Sequence, residues 1–260
     1  MSQRILGAND GSVRELPLIG FQDELFRLRK AIRRRESLLV FGARGSGKTR
    51  LIRAALQEPG CDAVYVHSPA VLHDFLISLA RALVAAGHRP TLGVIGRNSD
   101  FDRVISGYNS VHLKGILWTA IEKEPVMMVL DEIQGAGTRN YRFLQRVFHT
   151  KDVGVIAAAR DYRCLDSLSR LFWDPRMIIN VPPLTQVEAR TLFDQSVGRL
   201  CLNHLDLEQF RDQVLESARG NPAEIIEMCK LAAQPQYRHG THVKFAPLRI
   251  DAIMRLGASY

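Results

Sequence analysis

The sequence predicts an α/β fold: a parallel sheet with helices between its strands, followed by a small all-helical domain. Three observations predict it. Short runs of strand-forming residues alternate with helical patterns from residue 37 to residue 182. Those runs are continuously apolar rather than alternating, as expected where helices cover both faces of a parallel sheet. After Pro182-Pro183 only helical patterns follow, as far as residue 234.

Residues 1–16 mix Gly, Asn, Asp, Ser and Arg without periodicity and predict a loose arm. Over 21–35, Leu25, Leu28 and Ile32 recur at helical spacing, with Arg27, Lys30 and Arg34 on the outer face. Residues 37–42 form a strand ending in glycine, and a Gly-rich turn leads into a helix over 49–56. The beat repeats with a strand at 63–67 and a helix at 71–86, then a loop or broken helix over 87–109. A helix at 111–123, the strongest strand at 126–130, a helix at 141–149 and strands at 153–158 and 177–181 complete the α/β domain, 17–182. Helices at 187–200, 207–218 and 223–233 make up a helical domain over 183–234. In the tail, 235–260, residues 243–245 and 248–256 fit either a final strand-plus-helix or an appendix.

Composition narrows the class. With 46% hydrophobic and 24% charged residues, the 260-residue chain matches a globular domain and excludes collagen, a disulfide miniprotein and a largely disordered chain. No apolar run approaches the roughly 18–20 residues of a membrane span, and the first residues lack a secretory core and cleavage site. Cys61, Cys164, Cys201 and Cys229 are scattered without a C-x-x-C pair, which predicts buried thiols in a reducing compartment. The expectation is a soluble, cytoplasmic protein. The net charge of +8 favours anionic partners.

The motif that carries chemistry is Gly42-Ala43-Arg44-Gly45-Ser46-Gly47-Lys48-Thr49, which fits G-x-x-x-x-G-K-[ST] between a predicted strand and a predicted helix. Its glycines let successive backbone N–H groups turn inward onto phosphate oxygens, and the positive end of the next helix adds to that anion site. Lys48 is placed on the β/γ-phosphates and the Thr49 hydroxyl on Mg2+; nucleotide contacts are expected from Gly42 through Arg50. The strand at 126–130 ends in Asp131-Glu132. Asp131 is the second magnesium ligand, and Glu132 orients and polarises the attacking water, since phosphoryl transfer needs positioning more than covalent chemistry.

Together these elements resemble the P-loop ATPases of the AAA+ and STAND groups, in which the glutamate follows the Walker B aspartate, over about residues 17–233. The resemblance implies an ASCE-type α/β core with a helical lid and binding of ATP with Mg2+. Pro17-Leu18-Ile19-Gly20-Phe21 through Leu25 is similar to the segment that cradles adenine there, with Phe21 where arginine is usual, so Ile19 is implied as a base contact. Val155 through Asp161 resembles the fourth strand with its terminal sensor, which implies Arg160 as a catalytic arginine in cis. Pro183-Leu184 with Glu188 and Leu192 is similar to the first lid helix, and Gly220-Asn221-Pro222 to the Gly-x-Pro lid motif, which implies Pro222 beside the base. Arg170 and Arg176 fall where AAA+ proteins carry an arginine finger acting on a neighbouring subunit.

The resemblance implies a switch that forms a homo-oligomer with ATP and regulates or recruits a separate effector. Two outputs compete. One is an ATPase working on duplex DNA, of the transposition- or replication-accessory type, contacting phosphates through Arg27, Lys30 and Arg34 in the run Arg27–Arg35. The other is a protein-directed signalling or defence switch without nucleic acid. A third possibility is a scaffold that holds ATP without turnover, against which the intact Lys48, Asp131 and Glu132 argue.

Overall fold

The computed structural model describes residues 16–58, 61, 63–67, 71–88, 101–133 and 138–258. Residues 1–15 of the predicted arm, and 89–100 of the predicted loop, lie outside them.

Five strands, β1 (Leu38–Phe41), β2 (Ala63–His67), β3 (Met127–Asp131), β4 (Gly154–Ala159) and β5 (Ile178–Asn180), form one parallel sheet in the order β2-β3-β4-β1-β5. β3 and β4 are buried along their whole length, which explains their unbroken apolar sequence. β2 lies at an edge, its buried Val64 and Val66 alternating with half-buried Ala63 and Tyr65 and exposed His67. The register pairs His67 with Asp131 and Phe41 with both Ala159 and Asn180. Parallel pairing therefore brings the carboxyl ends of β1 to β4 to one side of the sheet. The residues that follow or end those strands there are Gly42, His67, Asp131 and Arg160.

By its contacts the chain divides into two units. The first, Asp23–Gly42 and Leu51–Asn180, holds the sheet. Around the strands run α1 (Gln22–Arg34), most of α2 (Lys48–Leu56), α3 (Leu72–Ala85), α4 (Phe101–Gly107), α5 (Ser110–Lys123) and α6 (Thr138–Phe148). The core joins Val64, Met128, Val155 and Ala157 of the sheet to Phe75, Leu79 and Leu83 of α3 and Leu113, Leu117 and Ile121 of α5. Asn109 caps α5, its side-chain oxygen accepting from His112 N at 2.9 Å.

One element was not anticipated. Residues Tyr162–Phe172 form a long 3-10 helix between β4 and β5, opened by Asp161 accepting from Arg163 N at 2.9 Å. Its buried residues Leu165, Leu168 and Leu171 recur every third position, the period of a 3-10 turn, so that i and i+3 eclipse on one face. Phe172 meets Phe148 of α6 edge to face, 5.4 Å between centroids.

The second unit contains the described residues 16–22, the segment Ala43–Arg50 and the chain from Val181 onward. It holds α7 (Gln186–Arg199), α8 (Leu207–Ala218), α9 (Pro222–Ala232) and α10 (Phe245–Ala258). Thr185 and Glu188 close a capping box at the head of α7, just after the prolines that stop the sheet domain. Phe210 of α8 lies between Phe193 of α7 and Phe245 of α10, at 5.7 and 6.4 Å. The tail forms a small hairpin, β6 (Arg238–His239) with β7 (His242–Val243), and then α10, which buries Leu248 and Ala252.

Among the described residues no helix is long and apolar enough to cross a membrane. The cysteines depart in part from expectation. Cys229 is buried, which pushes its thiol up to about 12, and Cys61 is half-buried, but Cys201 is exposed. Cys201 follows the end of α7 in a left-handed conformation (φ 54°), where the turn aims its side chain outward. The Cys164 side chain lies outside the described residues.

Candidate nucleotide site

The loop between β1 and α2 is shaped by its glycines. Gly45 and Gly47 have φ of +77° and +96°, values open to glycine at little cost and unfavourable for L side chains. Alternating left-handed residues turn backbone N–H groups toward a common centre, the geometry of an anion nest. Ser46 Oγ is buried and has no hydrogen-bond partner among the described residues. A hydroxyl so placed in a phosphate-type loop fits an anionic oxygen. Lys48 Nζ, at the head of α2, donates to Ala43 O of the same loop at 2.9 Å. The Phe21 ring is buried and reaches the loop, its Cε2 3.7 Å from where a Cβ on Gly47 would lie.

Head-on against the loop stands the start of α9. Asn221 Nδ2 donates to Arg44 O at 3.0 Å, and Ala223 N donates to Gly45 O at 3.2 Å. Pro222 lies between these two donors, as the first residue of α9. Ile19 is half-buried in the same unit.

In the sheet unit, Asp131 closes β3 and is 5% exposed. Its Oδ2 accepts from the Tyr65 hydroxyl and its Oδ1 from Glu132 N at 3.0 Å. Burial first, and the Asp131 carboxylate second, push the Tyr65 hydroxyl far above the usual phenol range, so Tyr65 remains a donor. These hydrogen bonds orient the buried carboxylate, and an anionic oxygen donor of this kind suits a hard ion such as Mg2+.

Glu132 turns back with φ 54°, a left-handed conformation that for a non-glycine residue costs on the order of 1 kcal/mol and marks a constrained strand end. Its half-exposed carboxylate lies 3.5 Å from Arg160 NH2 at the end of β4 and 3.8 Å from His67 Nε2 at the end of β2. Exposed pairs of this kind contribute only about 0–1 kcal/mol, so a stronger anion can exchange into them.

The other arginines are sorted by their partners. Arg176 is held by Asp174, with NH2 to Oδ2 at 2.6 Å, an interaction that lowers the carboxyl and raises the guanidinium from their ordinary values. Arg170 is exposed and has no ion-pair partner among the described residues. In the basic run, Arg27 donates to Arg176 O and Ile178 O at 3.1 and 3.0 Å, covering the edge strand β5. Arg29 and Arg33 both pair with Glu58, Arg34 lies 3.6 Å from Glu36, and Arg35 donates to Asp152 O. Lys30 is exposed and without a partner among the described residues.

Sequence reasoning singled out neither Tyr65 nor His67. Their signal was a polar strand end, Tyr65-Val66-His67, but only the β2–β3 pairing puts it beside Asp131-Glu132.

The fold and the loop define a P-loop ATPase core of the AAA+/STAND type with a helical region. A family model described as an AAA domain matches residues 31–163, just over half of the chain, and the protein belongs to that family. A search of curated proteins gave no match. Among solved structures, the chain is similar to a Signal Transduction ATPase with Numerous Domains (STAND) protein with a tetratricopeptide repeat sensor from Pyrococcus horikoshii. That likeness has 17% identity and a TM-score of 0.52, over 94% of this chain and 33% of that one. The chain therefore spans about a third of that protein's length. It is also similar to the Walker-type ATPase of Pyrococcus abyssi, at 14% identity and a TM-score of 0.56, over 92% of this chain and 71% of that one. A katanin described for its self-assembly matches at 16% identity and a TM-score of 0.53, over 93% and 82% of the two chains. At these identities the likenesses establish the fold.

Proposed function

We propose that the protein is an ATP-hydrolysing switch that assembles with further copies of itself and acts on a separate protein partner. The arrangement of Glu132 carries the reading: a strained, half-exposed carboxylate one residue beyond a buried aspartate, shared with an arginine and a histidine from the two neighbouring strand ends. In this mechanism Gly42–Thr49 binds the phosphates, with Lys48 leaving Ala43 O for the β/γ oxygens. Arg50, Ile19 and Pro222 complete the nucleotide contacts. Thr49 and Asp131 would hold Mg2+, which would supply charge neutralisation at the transferred phosphoryl group. Arg160 leaves Glu132 for the γ-phosphate. Glu132 then orients water and accepts its proton as the water oxygen bonds phosphorus and the ADP oxygen departs. The 3.5 Å separation of the Arg160–Glu132 pair, which is partly open to solvent, supports that exchange.

Assembly is supported by the fold shared with a self-assembling katanin and by Arg170, an exposed cation without a partner among the described residues, suited to act in trans. The protein-directed output is favoured over DNA because Arg27, Arg29, Arg33, Arg34 and Arg35 already contact this chain's own acceptors. Titration calorimetry with ATP and a phosphate-release assay test the reading. Lys48→Ala should lose ATP binding, and Glu132→Gln should keep it while turnover falls by about 10²-fold or more. A folded Lys48→Ala protein with wild-type affinity, or a Glu132→Gln protein with wild-type turnover, overturns the assignment. ATP-dependent, salt-sensitive binding to duplex DNA overturns the choice of output.

A further inference from the structure

We propose that Asn221 is a positioning residue of the phosphate loop, acting from behind it and never touching nucleotide. The proposal rests on the reading of Gly42–Thr49 as the phosphate site. A trans peptide is planar, with its C=O and N–H pointing in opposite directions. The carbonyl of Arg44 is held by Asn221 Nδ2 at 3.0 Å and that of Gly45 by Ala223 N at 3.2 Å. Both carbonyls therefore face α9; the Gly45 N–H, in the same peptide plane as Arg44 O, faces away from it, and the Ser46 N–H turns back into the loop to donate to Ala43 O at 3.2 Å. A loop that binds anions through N–H groups needs this orientation, because one flipped peptide would present a carbonyl to a phosphate.

Asn221 performs two tasks with opposite ends of one amide. Its Oδ1 caps α9 by accepting from Ala223 N at 3.1 Å, and its Nδ2 reaches both Arg44 O and Glu224 Oε1, the latter at 3.1 Å. Capping orients the amide, so the donor is aimed at the loop without further ordering. The fit is close: a Cβ on Gly45 would lie 2.7 Å from Asn221 Oδ1 and 2.8 Å from Ala223 Cβ. A second tether runs from Arg44 NH1 to Gly257 O, at the end of α10, at 3.2 Å. α9 thus holds the loop's backbone and α10 one of its side chains, and the Asn of Gly220-Asn221-Pro222 has a role distinct from that of its proline.

Asn221→Ser separates the tasks, because serine caps a helix about as well as asparagine but its hydroxyl is too short to reach Arg44 O. No charge is introduced. The measurements are equilibrium titration with fluorescent mant-ATP and mant-ADP, thermal unfolding, and hydrogen exchange of peptides covering 42–49 and 222–232. The expected result is an unchanged unfolding midpoint, a three- to tenfold weaker affinity for both nucleotides, and faster exchange over 42–49 with 222–232 unaltered. That loss corresponds to one ordinary net hydrogen bond. Wild-type affinity and wild-type loop exchange in Asn221→Ser overturn the proposal, while loss of binding in Lys48→Ala would still uphold the phosphate site. If Asn221→Ser unfolds early, Asn221→Asp serves as the second variant: its carboxylate still caps α9 but cannot donate to Arg44 O, and faster exchange over 42–49 with 222–232 unaltered is expected. Wild-type loop exchange in that variant overturns the proposal as well.

Discussion

Replacing Gly45 by alanine should cost more than replacing Gly47, and the structure gives the size of the difference. Both have left-handed φ, +77° and +96°, which for an L residue costs about 1–2 kcal/mol. At Gly47 that strain stands alone, since the nearest atom to an added Cβ is Phe21 Cε2 at 3.7 Å, an ordinary contact. At Gly45 the Cβ would meet Asn221 Oδ1 at 2.7 Å and Ala223 Cβ at 2.8 Å. Neither gives way easily, because Asn221 Oδ1 is held by its cap on Ala223 N and Ala223 lies in the first turn of α9. Overpacking of this kind adds about 1–3 kcal/mol. Gly45→Ala should therefore destabilise the helical unit by about 2–5 kcal/mol, and Gly47→Ala by about 1–2 kcal/mol. Urea unfolding followed by far-ultraviolet circular dichroism, with hydrogen exchange over 222–232 to localise the loss, provides the assay. Equal effects in the two variants, or a Gly45→Ala protein within about 1 kcal/mol of wild type, would refute the contact between loop and helix.

The two finger candidates should separate in a dilution series. Arg170→Ala should abolish the part of ATPase activity that rises with protein concentration, whereas Arg176→Ala should leave it, Asp174 already holding that guanidinium; flat specific activity with a monomeric particle mass would remove the trans finger altogether. Tyr65→Phe takes one hydrogen bond from the buried Asp131 carboxylate and should cost about 1–3 kcal/mol in urea unfolding, a value near zero showing that the hydroxyl does not orient Asp131. Glu224→Gln tests a pH dependence. Burial raises the Glu224 carboxyl above its ordinary value, against the opposing pull of Arg249 and Asn221, so the native state holds that proton more tightly than the unfolded chain. Stability is then lost as pH rises from the unfolded value through the folded one, and Glu224→Gln should be the more stable protein at neutral pH and equal to wild type at about pH 4 and below. A constant difference across that window would contradict the assignment to Glu224.

The one-dimensional order of elements was legible because its causes are local. Apolar runs reveal buried strands, a glycine-lysine-threonine spacing marks the candidate phosphate loop, and an acidic pair at a strand end marks Asp131-Glu132; each is set by residues a few positions apart. Even the unanticipated 3-10 helix left its trace in Leu165, Leu168 and Leu171. What the sequence did not determine was which local pieces meet. The order β2-β3-β4-β1-β5 comes from burying apolar faces across the whole chain, and it alone brings Tyr65 and His67 to the acidic pair of β3 and Arg160 beside Glu132. The same holds for the arginines, identical in composition and different in fate. Glu58 takes Arg29 and Arg33, the edge of β5 takes Arg27, Asp174 takes Arg176, and Arg170 is left at the surface. Asn221 and Arg44 stand 177 positions apart, and no periodicity links them. Periodicity is a property of neighbours along the chain, whereas a side chain's partner is settled by packing between segments that sequence distance does not relate.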